Sequence, residues 1–194
     1  SRVFMRGTTP QQISGSTVTV FNGLTINNSN HVNLNGVDVE VTGGTGGLTF
    51  INGKLITAAH EVVLDANTTI NNVNANRYVQ GNLRMGINTS TTSRAFAIGD
   101  ATSYTPVTLT FTGITSGGSV LMFTTGSEHP NILTSSLVEN LSVNRYYTLS
   151  NSGVAFTSYF AVFNFVASDV DAGANTSAFI VGRYDAGAWS YPVL

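Results

Sequence analysis

Apolar residues recur at every second position in short runs broken by Gly, Asn, Ser and Thr, and a 3.6-residue periodicity is almost absent. Alternation with period two sends successive side chains to opposite faces of an extended chain, so the pattern predicts strands joined by tight turns and an all-β fold. Between residues 18 and 70 the predicted strands are very short, at 18–21, 24–27, 32–34, 37–41, 48–51, 55–57, 62–64 and 68–70. Such strands bury little alone and need neighbours on both sides.

A repeat supplies those neighbours. Gly23-Leu24-Thr25-Ile26-Asn27-Asn28 returns as Gly47-Leu48-Thr49-Phe50-Ile51-Asn52, an offset of 24 residues that suits the coils of a solenoid. Leu and Val would point inward, Asn and Gly would turn the corners, and each rung would pair with the next. The alternative for the same segment is an antiparallel sandwich of short hairpins. A solenoid leaves an open edge strand that asks for a neighbour.

After a polar connector at 71–76 the strands lengthen, at 77–85, 94–98, 106–112, 119–125, 143–149, 158–167, 178–184 and 188–191. Turn chemistry lies at Ser116-Gly117-Gly118, Ser150-Asn151-Ser152-Gly153 and Asp185-Ala186-Gly187. The expectation is a short-rung solenoid-like part at 1–76 packed on a β-sandwich or jelly roll at 77–194. The run from Tyr159 through Val166 is apolar on both faces apart from Asn164, which places it in the core, between two layers or beneath a neighbouring domain.

Composition narrows the partners. Charged residues are 9% of the 194, against roughly a quarter in an ordinary soluble domain, while 42% are hydrophobic, enough to fold. The surface must be kept wet by amides and hydroxyls, and association with copies of itself or with a polysaccharide meets little charge repulsion. With net charge −2 and dispersed arginines there is no basic stripe for nucleic acid. The chain has no cysteine, hence no disulfide, thiolate metal site or cysteine nucleophile. No apolar run approaches the roughly 18 to 20 residues of a membrane helix. Ser1 to Met5 do not read as a signal peptide, and Trp189-Ser190-Tyr191-Pro192-Val193-Leu194 is an apolar end, so both termini read as cut from a longer chain.

Several segments imitate chemistry without completing it. His60-Glu61-Val62-Val63-Leu64 starts like a zinc-protease helix, but Leu64 stands where the second His belongs. Gly43-Gly44-Thr45-Gly46-Gly47 followed by Gly53-Lys54 hints at a phosphate loop, yet Leu48 and Leu55 occupy the required Gly and hydroxyl positions and no helix follows. His31, His60 and His129 lie far apart in sequence, and no nucleophile elbow occurs. The expectation is a non-enzymatic chain. Asp169, Asp171 and Asn175 alternate around Gly173 as hard-cation ligands do, which makes calcium the candidate ion, although the third carboxylate and acidic twelfth ligand of an EF-hand loop are missing. An Asp/Asn turn bonding its own backbone reads the same residues. Aromatics gather in the second region, and Trp189 and Tyr191 are the candidate carbohydrate-stacking pair, with core packing as the alternative. Five Asn-x-Ser/Thr triplets, at Asn27, Asn67, Asn88, Asn140 and Asn175, arise readily in a chain this rich in Asn, Ser and Thr.

Gly7-Thr8-Thr9-Pro10-Gln11-Gln12-Ile13-Ser14-Gly15 followed by Phe21-Asn22-Gly23-Leu24-Thr25-Ile26-Asn27-Asn28-Ser29 resembles segments of large secreted surface proteins of Bacteroidetes-type bacteria. Phe96-Ala97-Ile98-Gly99-Asp100-Ala101-Thr102-Ser103-Tyr104-Thr105-Pro106-Val107, Val143-Asn144-Arg145-Tyr146-Tyr147-Thr148-Leu149 and residues 169–184 look like the downstream part of the same arrangement. The resemblance implies export to the cell surface through the type IX route, in multi-module proteins used for adhesion, gliding or surface layers. It brings no catalytic residue, and the family's C-terminal sorting domain is not present. The expected function is a structural or adhesive extracellular module that assembles with neighbouring modules or copies of itself, in a filament or layer completed at an edge strand. The alternative is a carbohydrate-binding module of a secreted polysaccharide-acting protein.

Overall fold

The computed structural model describes residues 1–44 and 46–192. It divides into two compact units, one of residues 1–124 with 147–164, the other of 125–146 with the described residues from 165 on.

The first unit is built from coils. β1 (Val3–Gly7), β2 (Gln11–Ser14) and β3 (Thr19–Phe21) make the first; β4 (Leu24–Asn28), β5 (Val32–Asn35) and β6 (Val39–Val41) make the second. β7 (Leu48–Asn52) and β8 (Leu55–Leu64) form the third, and β9 (Ile70–Asn71) and β10 (Val79–Ile87) the fourth. Parallel strands ordinarily need a long crossover. Here the crossover is the rest of the coil, which returns the chain to the same face one rung on.

Three ladders result. β1, β4, β7 and β9 pair in parallel in that order, with Leu24 beside Leu48, Thr25 beside Thr49 and Ile26 beside Phe50. That register is the 24-residue repeat itself. In the second ladder Val32, Leu55 and Val79 align through β5, β8 and β10, and β12 (Ile98–Gly99) extends it with Ile98 beside Val79. In the third, Val39, Val62 and Leu83 align, as do Val41, Leu64 and Met85. The parallel stacking thus runs past residue 76 into β10 and β12.

The aligned residues are the core. Leu24, Ile26, Leu48, Phe50, Val32, Leu55, Val79, Val39, Val62 and Leu83 are all fully buried. Each apolar side chain sits on its counterpart one coil away, and a one-residue slip would turn a whole column outward. The predicted strands at 55–57 and 62–64 prove to be one strand, β8, bent where Ala58 takes a positive φ of 51°. Opposite the bend β10 spends only Gly81, whose amide region is held by Thr57: the Thr57 hydroxyl accepts from the Asn82 N–H at 2.8 Å. β1 and β2 were not foreseen, because Val3–Gly7 carries Arg6 and buries no side chain fully, and Gln11–Ser14 has a single buried side chain, Ile13.

Two corners need glycine. Gly47 has φ 60°, and a Cβ there would stand 2.2 Å from the Thr69 carbonyl oxygen; at Gly53, φ 75°, it would stand 1.9 Å from that of Asn28. Rungs approach too closely at these turns for any side chain.

Beyond the coils the pairing turns antiparallel. β11 (Ser93–Phe96) and β16 (Ala155–Phe163) flank β13 (Val107–Ser116), while β14 (Gly118–Thr125) lies against β10 and β15 (Tyr146–Ser152) against β14. β14 continues the third ladder's columns, with Met122 beside Leu83 and Val120 beside Met85, both buried.

The expectation for Tyr159–Val166 is corrected. β16 ends at Phe163 and lies at the edge of its sheet, where Tyr159, Phe160 and Val162 are 46%, 62% and 45% exposed. β13 takes the core instead, burying Val107, Leu109 and Phe111. In the second unit, the strand expected at 178–184 is a 3-10 turn, Thr176–Ala178, followed only later by β17 (Arg183–Asp185), which pairs with β18 (Ala188–Ser190). The intervening Ala186 and Gly187 both have positive φ, as a tight hairpin turn of the primed type requires. The helical elements among the described residues are 3-10 turns of three residues, and no helix is long and apolar enough to cross a membrane.

Truncating a stacked core side chain should cost far more than truncating its exposed neighbour. Phe50→Ala is expected to lose about 3–5 kcal/mol and Ile51→Ala less than about 0.5 kcal/mol, measured by denaturant unfolding.

Candidate functional site

The outer surface of the coils is stitched by side-chain amides rather than charges. The buried Asn28 amide donates to the Thr9 carbonyl (2.7 Å) and to Gln11 Oε1 (3.0 Å), while its own oxygen accepts from the Asn30 N–H. Asn35 donates to Gln12, Asn71 to the Gly46 carbonyl and Asn82 to the His60 carbonyl, each from one coil to the one before. An amide can both donate and accept, so it bridges two rungs where a carboxylate can only accept. This is why so many Asn residues accompany so few charges.

The imitated motifs dissolve into the same stitching. His60 Nε2 accepts the Gly36 N–H at 3.1 Å, and its Nδ1 lies 3.5 Å from Asp38. Glu61 takes a bidentate pair from Arg84 on the next rung, at 2.6 and 2.9 Å, and that bond raises the Arg84 pKa. Gly43, Gly44, Gly46 and Gly47 form a corner between β6 and β7; Thr45 lies outside the described residues. Lys54 is spent elsewhere, donating to the Ala101 carbonyl at 2.8 Å over the Tyr78 ring. Among the described residues no group of three or more His, Asp or Glu is arranged to hold a metal ion.

The second unit gathers the remaining candidates. Asp169 is buried and faces buried Arg145, with Oδ2 2.7 Å from Nε and Oδ1 3.1 Å from the terminal nitrogen; Oδ2 also accepts the Val166 N–H. Asp171 accepts from the Ser142 N–H (2.9 Å) and the Asn144 amide (2.6 Å), and Asn175 caps the 3-10 turn by accepting from the Ser177 N–H. Asp169 and Asp171 therefore both hold the 142–145 segment, while Asn175 bonds only within its own turn. Sequence reasoning passed over Arg145, whose only signal was its rarity in a chain with so few charges. Glu128 accepts the Ser142 hydroxyl at 2.5 Å, and burial raises its pKa.

Trp189 and Tyr191 part company. The Trp189 ring packs 5.0 Å from His129 and 5.1 Å from Tyr184, its hairpin partner, and its N–H donates to the Asn131 carbonyl and the Thr134 hydroxyl. Tyr191 is 39% exposed, and its hydroxyl accepts from the Ser136 N–H.

What remains open to a partner is strand edge. Among the described residues β1, β2 and β3 each pair on one side only, with β4, β5 and β6; Val18 and Val20 (57%) of the first coil are exposed, and Arg6 lies 4.4 Å over the Phe4 ring. The free side of β16 is another edge among the described residues.

His31 lends the coils a pH dependence. Its Nδ1 accepts the Lys54 N–H at 3.1 Å, which only a ring unprotonated at that nitrogen can do, and desolvation, then Lys54, lowers its pKa from the usual 6.5. The unfolded chain binds the proton more readily, so this contribution is complete above about pH 6.5 and is lost as pH falls from there through the lowered native value. Asn suits the positive φ of 71° and keeps an acceptor. His31→Asn should therefore lose less Tm than the wild type between pH 7.5 and 5; equal losses would refute the assignment. In the second unit, Asp169→Ala removes the carboxylate that pairs with the buried Arg145 guanidinium and should destabilise that unit by about 3–5 kcal/mol, read from Trp189 fluorescence during unfolding.

Comparison with protein-family models, with curated proteins and with solved structures gives no match.

Proposed function

We propose that this chain is a non-enzymatic structural or adhesive module of an extracellular bacterial surface protein, combining a β-solenoid with a sandwich-type antiparallel region. The observation that carries the reading is the first coil: three strands in register, each with one side unpaired, next to exposed Val18 and Val20. Such an edge accepts a further rung from a neighbouring module with no rearrangement of the coils beneath it. Amide-rich faces add many weak contacts, whose sum gives avidity without a pocket. The likeness to secreted Bacteroidetes-type surface proteins, and with it the type IX route, belongs to this proposal. Immunogold microscopy with antibody to the chain tests it. Label on intact producing cells is the expected result, and label that appears only after permeabilisation would remove the reading.

A second reading, polysaccharide binding, is favoured by the exposed Tyr191 alone. Tyr191→Ala should abolish binding on a glycan array if that reading holds. Trp189→Ala is the poorer probe, because Trp189 packs on His129 and Tyr184.

A further inference from the structure

β16 is nine residues long, Ala-Phe-Thr-Ser-Tyr-Phe-Ala-Val-Phe, without charge, glycine or proline. Its register with β13 is uninterrupted from Phe156 to Phe163, and no strand of the described residues pairs with its other side. Soluble proteins ordinarily guard such edges with lysine, proline, a bulge or short length. β16 has no lysine or proline, and its one register shift with β13 lies at its first residues, Ala155 and Phe156. On one face it presents Phe160 and Val162, paired with Thr110 and Thr108 of β13, and on the other Tyr159.

We propose that β16 is where two copies of this chain pair, antiparallel, about a two-fold axis through Tyr159. A two-fold perpendicular to the sheet keeps the faces of both copies matched and joins their three-stranded sheets into one of six. It sets Tyr159 against Tyr159, Phe160 against Ser158, Ala161 against Thr157 and Val162 against Phe156. Aromatic and β-branched pairs of this kind stabilise cross-strand contacts, and no like charges meet. The net charge of −2 adds little repulsion between copies.

The first coil is a poorer place for a copy. Its strands of three to five residues are built for parallel pairing, and a copy's third ladder is closed at its far end by antiparallel β14. The β16 interface uses a different strand from the edge on which the proposed function rests, so either can fail alone.

Sedimentation equilibrium over a concentration series tests the pairing. The wild type should dimerise, while Phe160→Lys and Val162→Lys, both at exposed positions, should remain monomeric with unchanged thermal unfolding. Because the chain has no cysteine, Tyr159→Cys should give a covalent dimer on oxidation, since directly opposed residues bring their Cβ atoms near disulfide reach. Val18→Cys, on the first coil, should not. A wild type that stays monomeric at every concentration would overturn the proposal. So would a dimer indifferent to Phe160→Lys, or cross-linking through Val18→Cys instead.

Discussion

Parallel backbone pairing from rung to rung, held in register by columns of apolar side chains, is the constraint from which the rest of the first unit follows. Neither half suffices alone. Hydrogen bonds between strands of three to five residues would allow slippage, and isolated Leu and Val residues on so short a strand would bury little. Stacked, Val39 on Val62 on Leu83 on Met122 makes one continuous column, and any slip would move it to the solvent face. The corners absorb the cost. His31, Ala58 and Asn72 sit at positive φ, and Gly47 and Gly53 stand where rungs nearly touch.

The same constraint dictates the chemistry of the outside. Rungs under five ångströms apart bring like residues face to face, and a ladder of like charges would repel itself. Side-chain amides avoid this, since an amide can bond both to the rung before it and to its own loop, as Asn28 does. Arg84 and Glu61 pair opposite charges across rungs. The second unit follows a different plan. It lacks stacked rungs, and its segments meet through the buried Arg145–Asp169 pair, the Asp171 carboxylate and the ring cluster about His129.

How far this could be read from the chain depended on what each residue's neighbours were. Leu24-Thr25-Ile26 and Leu48-Thr49-Phe50 announce their pairing because parallel stacking places like on like, and the offset of 24 is the observed register. β1 escaped notice because Val3–Gly7 buries no side chain fully and carries Arg6 in place of an apolar residue. The misplacement of Tyr159 through Val162 has a different cause. Hydrophobicity on both faces of a strand marks a surface that needs covering, but a single chain does not say whether its own layers do the covering. The surroundings of Asp169, Asp171 and Trp189 were not legible because these residues meet Arg145, Ser142, Asn144 and His129, partners distant in sequence.

β14 gives the ladder a direction. By lying antiparallel on β10 it carries the buried columns one strand further with Met122 and Val120, yet offers no parallel template for another coil in the third ladder. In the first coil, among the described residues, β1, β2 and β3 pair only in parallel, in register with the strands beneath them. Length in this architecture is therefore adjustable from one side. A duplicated coil of some two dozen residues inserted ahead of β4 would find its columns already aligned, while the β10–β14 junction and everything after it kept their present surroundings.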